Sequence, residues 1–191
     1  MPFFIVDANS SIKRLFSVKT PSQEIFDIVD KRDRVIGQAS RAQTHRDGFL
    51  HRAVHVFATD EAGLLFLQRR ALDKEFAPGL WSSSCSGHVD SGETYDQAAL
   101  RELVEEIGLT LTARELRLRL SISPCPDTEN EFVRLYTCNA PASLHPDPVE
   151  VIDSQWIDQD DLQKWILREP KAFSDSFLHL YGLIRLIDVR R

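Results

Sequence analysis

The feature that most constrains this chain is one punctuated helix. Thr94, with Gln97 three residues on, makes a capping-box start, good helix formers follow without glycine or proline, and Gly108 closes the run. The sequence therefore predicts a helix from the Thr94 cap to Ile107. At about 100° per residue, Ala99, Leu100, Leu103 and Ile107 fall on one side, and Glu102, Glu105 and Glu106 cluster well round from them. One side packs; the other is a row of carboxylates. Such a row weakens an isolated helix by roughly a few tenths of a kcal/mol per like-charged pair, so a compensating charge is expected. A hard divalent cation supplies one, and Mg²⁺, which prefers oxygen ligands and keeps several waters, suits a few glutamates completed by substrate phosphate oxygens. Arg101 can pair with Glu93 and tie the preceding loop to the helix. The competing reading is a solvated acidic face.

The loop before the helix decides between them. Gly87, five residues, Glu93, seven residues, then Arg101-Glu102-Leu103-Val104-Glu105-Glu106-Ile107-Gly108-Leu109 is similar to the Nudix box, GX5EX7REUXEEXGU with U apolar, and fills every specified position. The resemblance implies an α/β (α+β) fold, a mixed β-sheet between helices in an α/β/α sandwich, covering roughly Glu24 to Arg168. It implies a divalent-metal enzyme, with Mg²⁺ or Mn²⁺, acting on a diphosphate linked to another moiety. Glu102, Glu105 and Glu106 would be its metal-binding and catalytic carboxylates, Gly87 a backbone ligand through its carbonyl, and Glu93 with Arg101 a structural pair. Cations at such a site neutralise diphosphate charge and lower the pKa of water that attacks phosphorus, while a glutamate orients or deprotonates that water.

Outside the box, His51-Arg52-Ala53, Gln68 to Lys74, Pro78-Gly79-Leu80-Trp81, Ser86-Gly87-His88 and Glu129-Asn130-Glu131 resemble the isopentenyl-diphosphate isomerase branch of the same superfamily. That branch implies a second metal set at His45, His51 and His88; Glu129 and Glu131, which alternation puts on one strand face toward the box, are candidates for base or extra ligand, with Glu131 counted among the catalytic residues. It also requires a cysteine just before the Gly-His pair, where this chain has Ser86; Cys85 stands one place earlier, and neighbours on a strand face opposite ways. Serine is too weak an acid to take over a thiol's proton role. The complete box therefore favours a hydrolase cleaving a nucleoside diphosphate derivative or similar organic pyrophosphate. An isopentenyl-diphosphate isomerase-like enzyme and a non-catalytic nucleotide- or diphosphate-binding module are the alternatives. Taken singly, each histidine is more often structural, and His55 is assigned wholly to that role.

The rest of the chain reads as support. Its 191 residues suit one domain with a small appendage: residues 1–22, ended by Thr20-Pro21-Ser22, as an arm, and residues 23–191 as the domain with its C-terminal helices. A net charge of -6 argues against a nucleic-acid surface, leaving a small-molecule diphosphate as the expected partner. Cys85, Cys125 and Cys138 lack CxxC spacing, so neither a disulfide framework nor a zinc site is indicated and a cytoplasmic location is the default. Phe3 to Val6 is too short for a signal or a membrane span. The arm and the terminal helices leave room for a homodimer.

Alternation and turn signals predict a hairpin over Glu24 to Asp30 and Arg34 to Ala39, then strands at His51 to Thr59, Leu64 to Leu67, Ser82 to Ser86, Glu115 to Ser123, Asn130 to Cys138 and Glu150 to Ile157. Arg69, Arg70 and Lys74 follow a core strand, and guanidinium forks match phosphate oxygens, so all three are candidate diphosphate contacts. Trp81 and Trp156 read as packing residues and Cys85 as a buried one. Helices are predicted over Gln159 to Leu167 and Ser174 to Val189, the second with a core stripe of Phe177, Leu180, Tyr181, Ile184 and Ile187.

Overall fold

A computed structural model describes residues 24–188; the predicted arm at 1–22 lies outside them. The hairpin forms as β1 (Ile25–Val29) and β2 (Val35–Ser40), an antiparallel pair of its own. It leads into a short helix the sequence reading did not anticipate, α1 (Arg41–Asp47). Ser40 Oγ accepts from the Gln43 N–H at its start and Gly48, with φ 67°, caps its end. Seven residues are too few for periodicity to reveal.

The larger sheet is mixed and has seven strands. Its axis is β3 (His51–Thr59), which runs parallel to β8 (Glu131–Asn139) in register from His51↔Glu131 to Thr59↔Asn139. Beyond β8 lies β7 (Arg117–Ile122), and β4 (Leu65–Arg70) pairs along its length with β9 (Val151–Ile157). Continuous apolar runs on both parities are what strands covered on two faces require. Even-numbered Val54, Val56, Ala58, Phe66, Tyr136 and Cys138 face α2 (Tyr95–Ile107) through Ala99, Leu103 and Ile107. Odd-numbered Ala53, Phe57, Leu65, Leu67, Val133 and Leu135 face α3 (Gln159–Arg168) and α4 (Asp175–Asp188) through Leu162, Phe177 and Leu180. Two cores on opposite faces of one sheet make the expected α/β/α sandwich.

The site arises where this sheet splits. β3 and β4 pair only at Thr59↔Leu65, and the chain fills the gap between them, first as β5 (Trp81–Ser82) against β4, then as β6 (Cys85–His88) against β3. The single strand predicted over Ser82 to Ser86 is therefore two, separated where the chain changes partner. Trp81 anchors the crossing by packing its ring edge on Trp165 at 5.4 Å.

α4 is held through Phe177, which has no exposed surface and stacks between Phe173 and Tyr181 at 5.7 and 5.6 Å. Phe177→Ala is expected to lower unfolding free energy by about 3–5 kcal/mol in a urea titration, through lost transfer energy and a cavity. Leu186→Ala, at a residue 59% exposed, should stay within about 0.5 kcal/mol.

Candidate active site

α2 starts and stops as its sequence dictates. Thr94 and Gln97 close the capping box reciprocally and Gly108, at φ 68°, ends the helix. What precedes it is held from outside. Ser91 N donates to the Ile25 carbonyl at 2.8 Å, and Asp27 accepts from Ser91 Oγ at 2.7 Å and Gly92 N at 3.2 Å. The β1–β2 hairpin thus clamps the loop that carries Gly87 to Glu93 into the helix.

The carboxylates are not a solvated face. Glu102 and Glu106 are only 9% and 5% exposed, and Glu105 is half-buried. Glu102 lies flat over the β6 backbone, so a Cβ on Gly87 would sit 2.0 Å from Glu102 Oε1. Glu106 Oε2 accepts from Gln68 Nε2 at 2.8 Å and Ser86 N at 3.0 Å. Arg101 binds Glu93 through two nitrogens at 3.0 and 2.9 Å, as its spacing predicts. It also donates to Glu102 Oε1 at 2.6 Å, Glu105 Oε2 at 3.1 Å and the His88 carbonyl at 2.9 Å. One guanidinium cannot neutralise them all. Burial, against Arg101 and reinforced by Glu106 and Glu105, pushes the Glu102 carboxyl up to about 8, and burial raises Glu106 as well.

A second group meets the first. His45 from α1, His51 from β3 and His88 from β6 bring ring nitrogens within 4.8 Å of one another. Phe26, fully buried on the hairpin, stacks on His51 at 5.5 Å and on His88 at 4.6 Å. Glu131, the register partner of His51, lies 3.0 Å from His88 Nε2 and 3.5 Å from His51 Nε2. His51 Nδ1 meets the Phe49 carbonyl at 3.0 Å; a carbonyl only accepts, so Nδ1 carries a proton, and Nε2 is the nitrogen that faces the carboxylate. His45 Nε2 is buried without a hydrogen-bond partner. Burial, then His88 and His51, lowers His45 to about 4, and burial lowers His88 although Glu131 opposes it. Burial would raise Glu131, but His51 and His88 hold it well below the usual carboxylate range. Three imidazoles converging beside an ionised carboxylate, next to two buried glutamates with too little countercharge, are donor types that fit divalent cations.

The box carboxylates open into a cavity of about 1050 Å³, which Arg70 and Lys74 also line; the histidine group reaches it through His88 and Glu131, whereas His45 and His51 are not among its lining residues. Arg70 Nε donates to the Phe76 carbonyl at 3.1 Å, and Lys74 is paired with Glu150. Arg69 is not among the lining residues: one position earlier on β4 it is exposed and donates to the Gly79 carbonyl at 2.8 Å. Ser86 lines the cavity, whereas Cys85 is fully buried in the core against α2 with its thiol raised by burial. Glu129 does not share the β8 face with Glu131 as alternation predicts. β8 begins at Glu131, and Glu129 and Asn130 have φ of 51° and 68° after a 3-10 turn, Pro126–Thr128; Glu129 still reaches the cavity. Sequence reasoning gave no site role to Gln68, Arg41 or Phe26. A glutamine continuing an apolar run, now 1% exposed, was the one available signal.

His55, assigned a structural role from the sequence, is buried with its Nδ1 2.7 Å from Ser83 Oγ and lines the same cavity. Among the described residues no helix is long and apolar enough to cross a membrane.

Comparison with known proteins matches residues 49–177 to a family model described as NUDIX domain. A protein of Burkholderia multivorans named isopentenyl-diphosphate Delta-isomerase is 36% identical over 157 residues, covering 81% of this chain and 89% of the relative. An uncharacterized Nudix hydrolase, all7351, of a Nostoc species is 33% identical, covering 80% of this chain and 90% of its own. The crystal structure of DR0079 from Deinococcus radiodurans superposes with a TM-score of 0.68 at 28% identity, over 85% of this chain and 98% of that one.

Two outcomes follow from this geometry. Gly87→Ala leaves the added methyl no room beside Glu102, so the urea midpoint should fall by the equivalent of about 1–3 kcal/mol, as overpacking does. His55, brought to about 4 by burial from an ordinary 6.5, binds its proton more readily in the unfolded chain. Its contribution to stability is complete above the upper value and is lost as pH falls towards the lower one. His55→Gln should flatten the stability–pH slope across that window by up to about 1.4 kcal/mol per pH unit, measured by urea unfolding at successive pH values.

Proposed function

The chain belongs to the Nudix family, and on that premise we propose that this enzyme is a Mg²⁺-dependent hydrolase that cleaves the diphosphate linkage of a nucleoside diphosphate derivative or similar organic pyrophosphate. The observation that carries this reading is the complete set of box carboxylates gathered at a cavity that no cysteine lines among the described residues. Position 86, beside Gly87 and His88, presents a serine, and the neighbouring Cys85 thiol is sealed in the core. A double-bond shift by protonation requires a proton donor there that serine does not provide. Hydrolysis requires a held diphosphate and an oriented water, for which carboxylates and cations suffice.

Glu102, Glu105 and Glu106 would hold the cation, with the Gly87 carbonyl as a further oxygen; Mn²⁺ suits the same donors. When bound, the cation neutralises diphosphate charge and makes water acidic enough to attack phosphorus near neutral pH. Gln68 and the Ser86 N–H orient Glu106, and Arg101 fixes Glu102 against the loop. Arg70 and Lys74 would contact diphosphate oxygens across the cavity; Arg69, turned away, would not. Glu131, held ionised by two imidazoles, suits cation binding with His45, His51 and His88 better than proton transfer. Glu129, raised by burial and by the Glu131 charge, is the better placed proton acceptor.

The histidine cluster favours one second reading, isomerisation of an isoprenyl diphosphate, in keeping with the name of the Burkholderia multivorans relative. A Mg²⁺ titration against nucleoside diphosphate sugars, dinucleotides, nucleoside triphosphates and isoprenyl diphosphates separates the two by product. Hydrolysed product supports the hydrolase, isomerised product the second reading, and binding without turnover a recognition module. Glu106→Gln is expected to reduce metal-dependent hydrolysis by at least about 100-fold, the scale of losing a catalytic electrostatic group; full turnover in that variant would rule out the role given to Glu106.

A further inference from the structure

Outside the cavity's two acidic and histidine groups, a third set of reactive side chains meets where the 3-10 turn touches α4. Cys125 Sγ stands 3.9 Å from His179 Nε2, and His179 Nδ1 stands 3.1 Å from Asp127 Oδ2. The order is thiol, imidazole, carboxylate. Asp127, an acceptor, receives a hydrogen bond from Nδ1–H, so in the neutral ring Nε2 presents its lone pair to sulfur. Thr128 fixes the turn: its N donates to the Cys125 carbonyl at 3.1 Å, and its Oγ1 accepts from Cys125 N at 3.1 Å, donates to the Glu131 carbonyl at 3.2 Å and stands 3.5 Å from Cys125 Sγ. Sulfur is therefore presented to His179 by backbone geometry rather than by a mobile loop.

The other two cysteines are unlike this one. Cys85 and Cys138 are buried in the core, and burial raises both thiols, Cys138 to about 12. Cys125 is half-buried, His179 is 27% exposed and Asp127 53%. A small reagent can reach the sulfur, and a base stands ready to take its proton.

We propose that Cys125 is a reactive thiol, a site of covalent modification by small electrophiles and hydroperoxides, with His179 as proton acceptor and Asp127 as the residue that positions it. With a hydroperoxide, the thiol proton passes to His179 Nε2 and sulfur attacks the terminal peroxide oxygen. The S–O bond forms as the O–O bond breaks, and the alkoxide leaves with the proton returned from His179. Sulfur is oxidised by two electrons to the sulfenic acid, and the hydroperoxide is reduced to alcohol. The same three side chains are also metal-ligand types. Their ligand atoms lie within 4.8 Å of one another, and the Co²⁺ measurement below separates that reading from a reactive thiol.

The test uses the full chain at neutral pH with iodoacetamide, following each cysteine by peptide mass spectrometry. Cys125 should be alkylated ahead of Cys85 and Cys138. His179→Gln should slow it about tenfold, the order expected when a thiol loses its imidazole partner. Asp127→Asn, at an exposed side chain that the fold does not need, should slow it several-fold and serves if His179→Gln does not fold. Hydrogen peroxide followed by dimedone should label Cys125 alone. Rates unchanged in both variants, or faster labelling of either core cysteine, would overturn the proposal. So would a cobalt–thiolate absorption band on Co²⁺ addition that vanishes in Cys125→Ser, since that would make the cluster a metal site.

Discussion

The site depends on Arg101. Its guanidinium, largely buried, spans Glu93 in the loop, Glu102 and Glu105 on the helix and the carbonyl of His88 on β6. A guanidinium is planar, always charged and carries five donors, so one side chain can hold three elements in a single geometry where lysine could not. Everything that follows along α2 is measured from that clamp. Glu102 can lie over Gly87 because the loop cannot drift, and Gly87 can be approached because it has no side chain.

That arrangement leaves more negative charge in a low-dielectric place than Arg101 balances. An isolated buried carboxylate answers by taking up a proton, which is what the upward shifts of Glu102 and Glu106 express. The histidine cluster poses a second problem: His45 Nε2 is buried without a hydrogen-bond partner, and three imidazoles crowd beside an ionised Glu131. Divalent cations would answer both, and the two groups meet at one cavity, the histidines through His88. The sheet makes this possible by splitting between β3 and β4, so that β6 delivers Gly87 to the carboxylates and His88 to the imidazoles on successive residues.

Much of this was legible beforehand, for local reasons. The bounds of α2 follow from a capping box and a terminal glycine, the Glu93–Arg101 pair from spacing, and the central position of β3 from apolar residues on both parities. The opposite facing of Cys85 and Ser86 follows from the period of a strand, which is why one ends in the core and the other at the cavity. Where reading failed, competing local geometry was the cause. α1 is too short to show a period, the strand predicted at Ser82 to Ser86 is broken by a change of partner, and Glu129 sits in a left-handed turn rather than on β8. Arg69 and Arg70 look alike in sequence, but adjacent strand residues point apart and only Arg70 reaches the cavity.

By itself, then, the amino-acid order determined the Nudix-box helix, its capping, the strands that flank it and the family to which they belong, because each rests on contacts within a few residues or on fixed spacing. Only the tertiary structure decided that Glu102 and Glu106 are buried rather than solvated, that three histidines from α1, β3 and β6 converge on Glu131, and that Cys125 meets His179. Burial and convergence are set by how distant segments pack, and no local pattern of side chains encodes the distance between residues fifty positions apart.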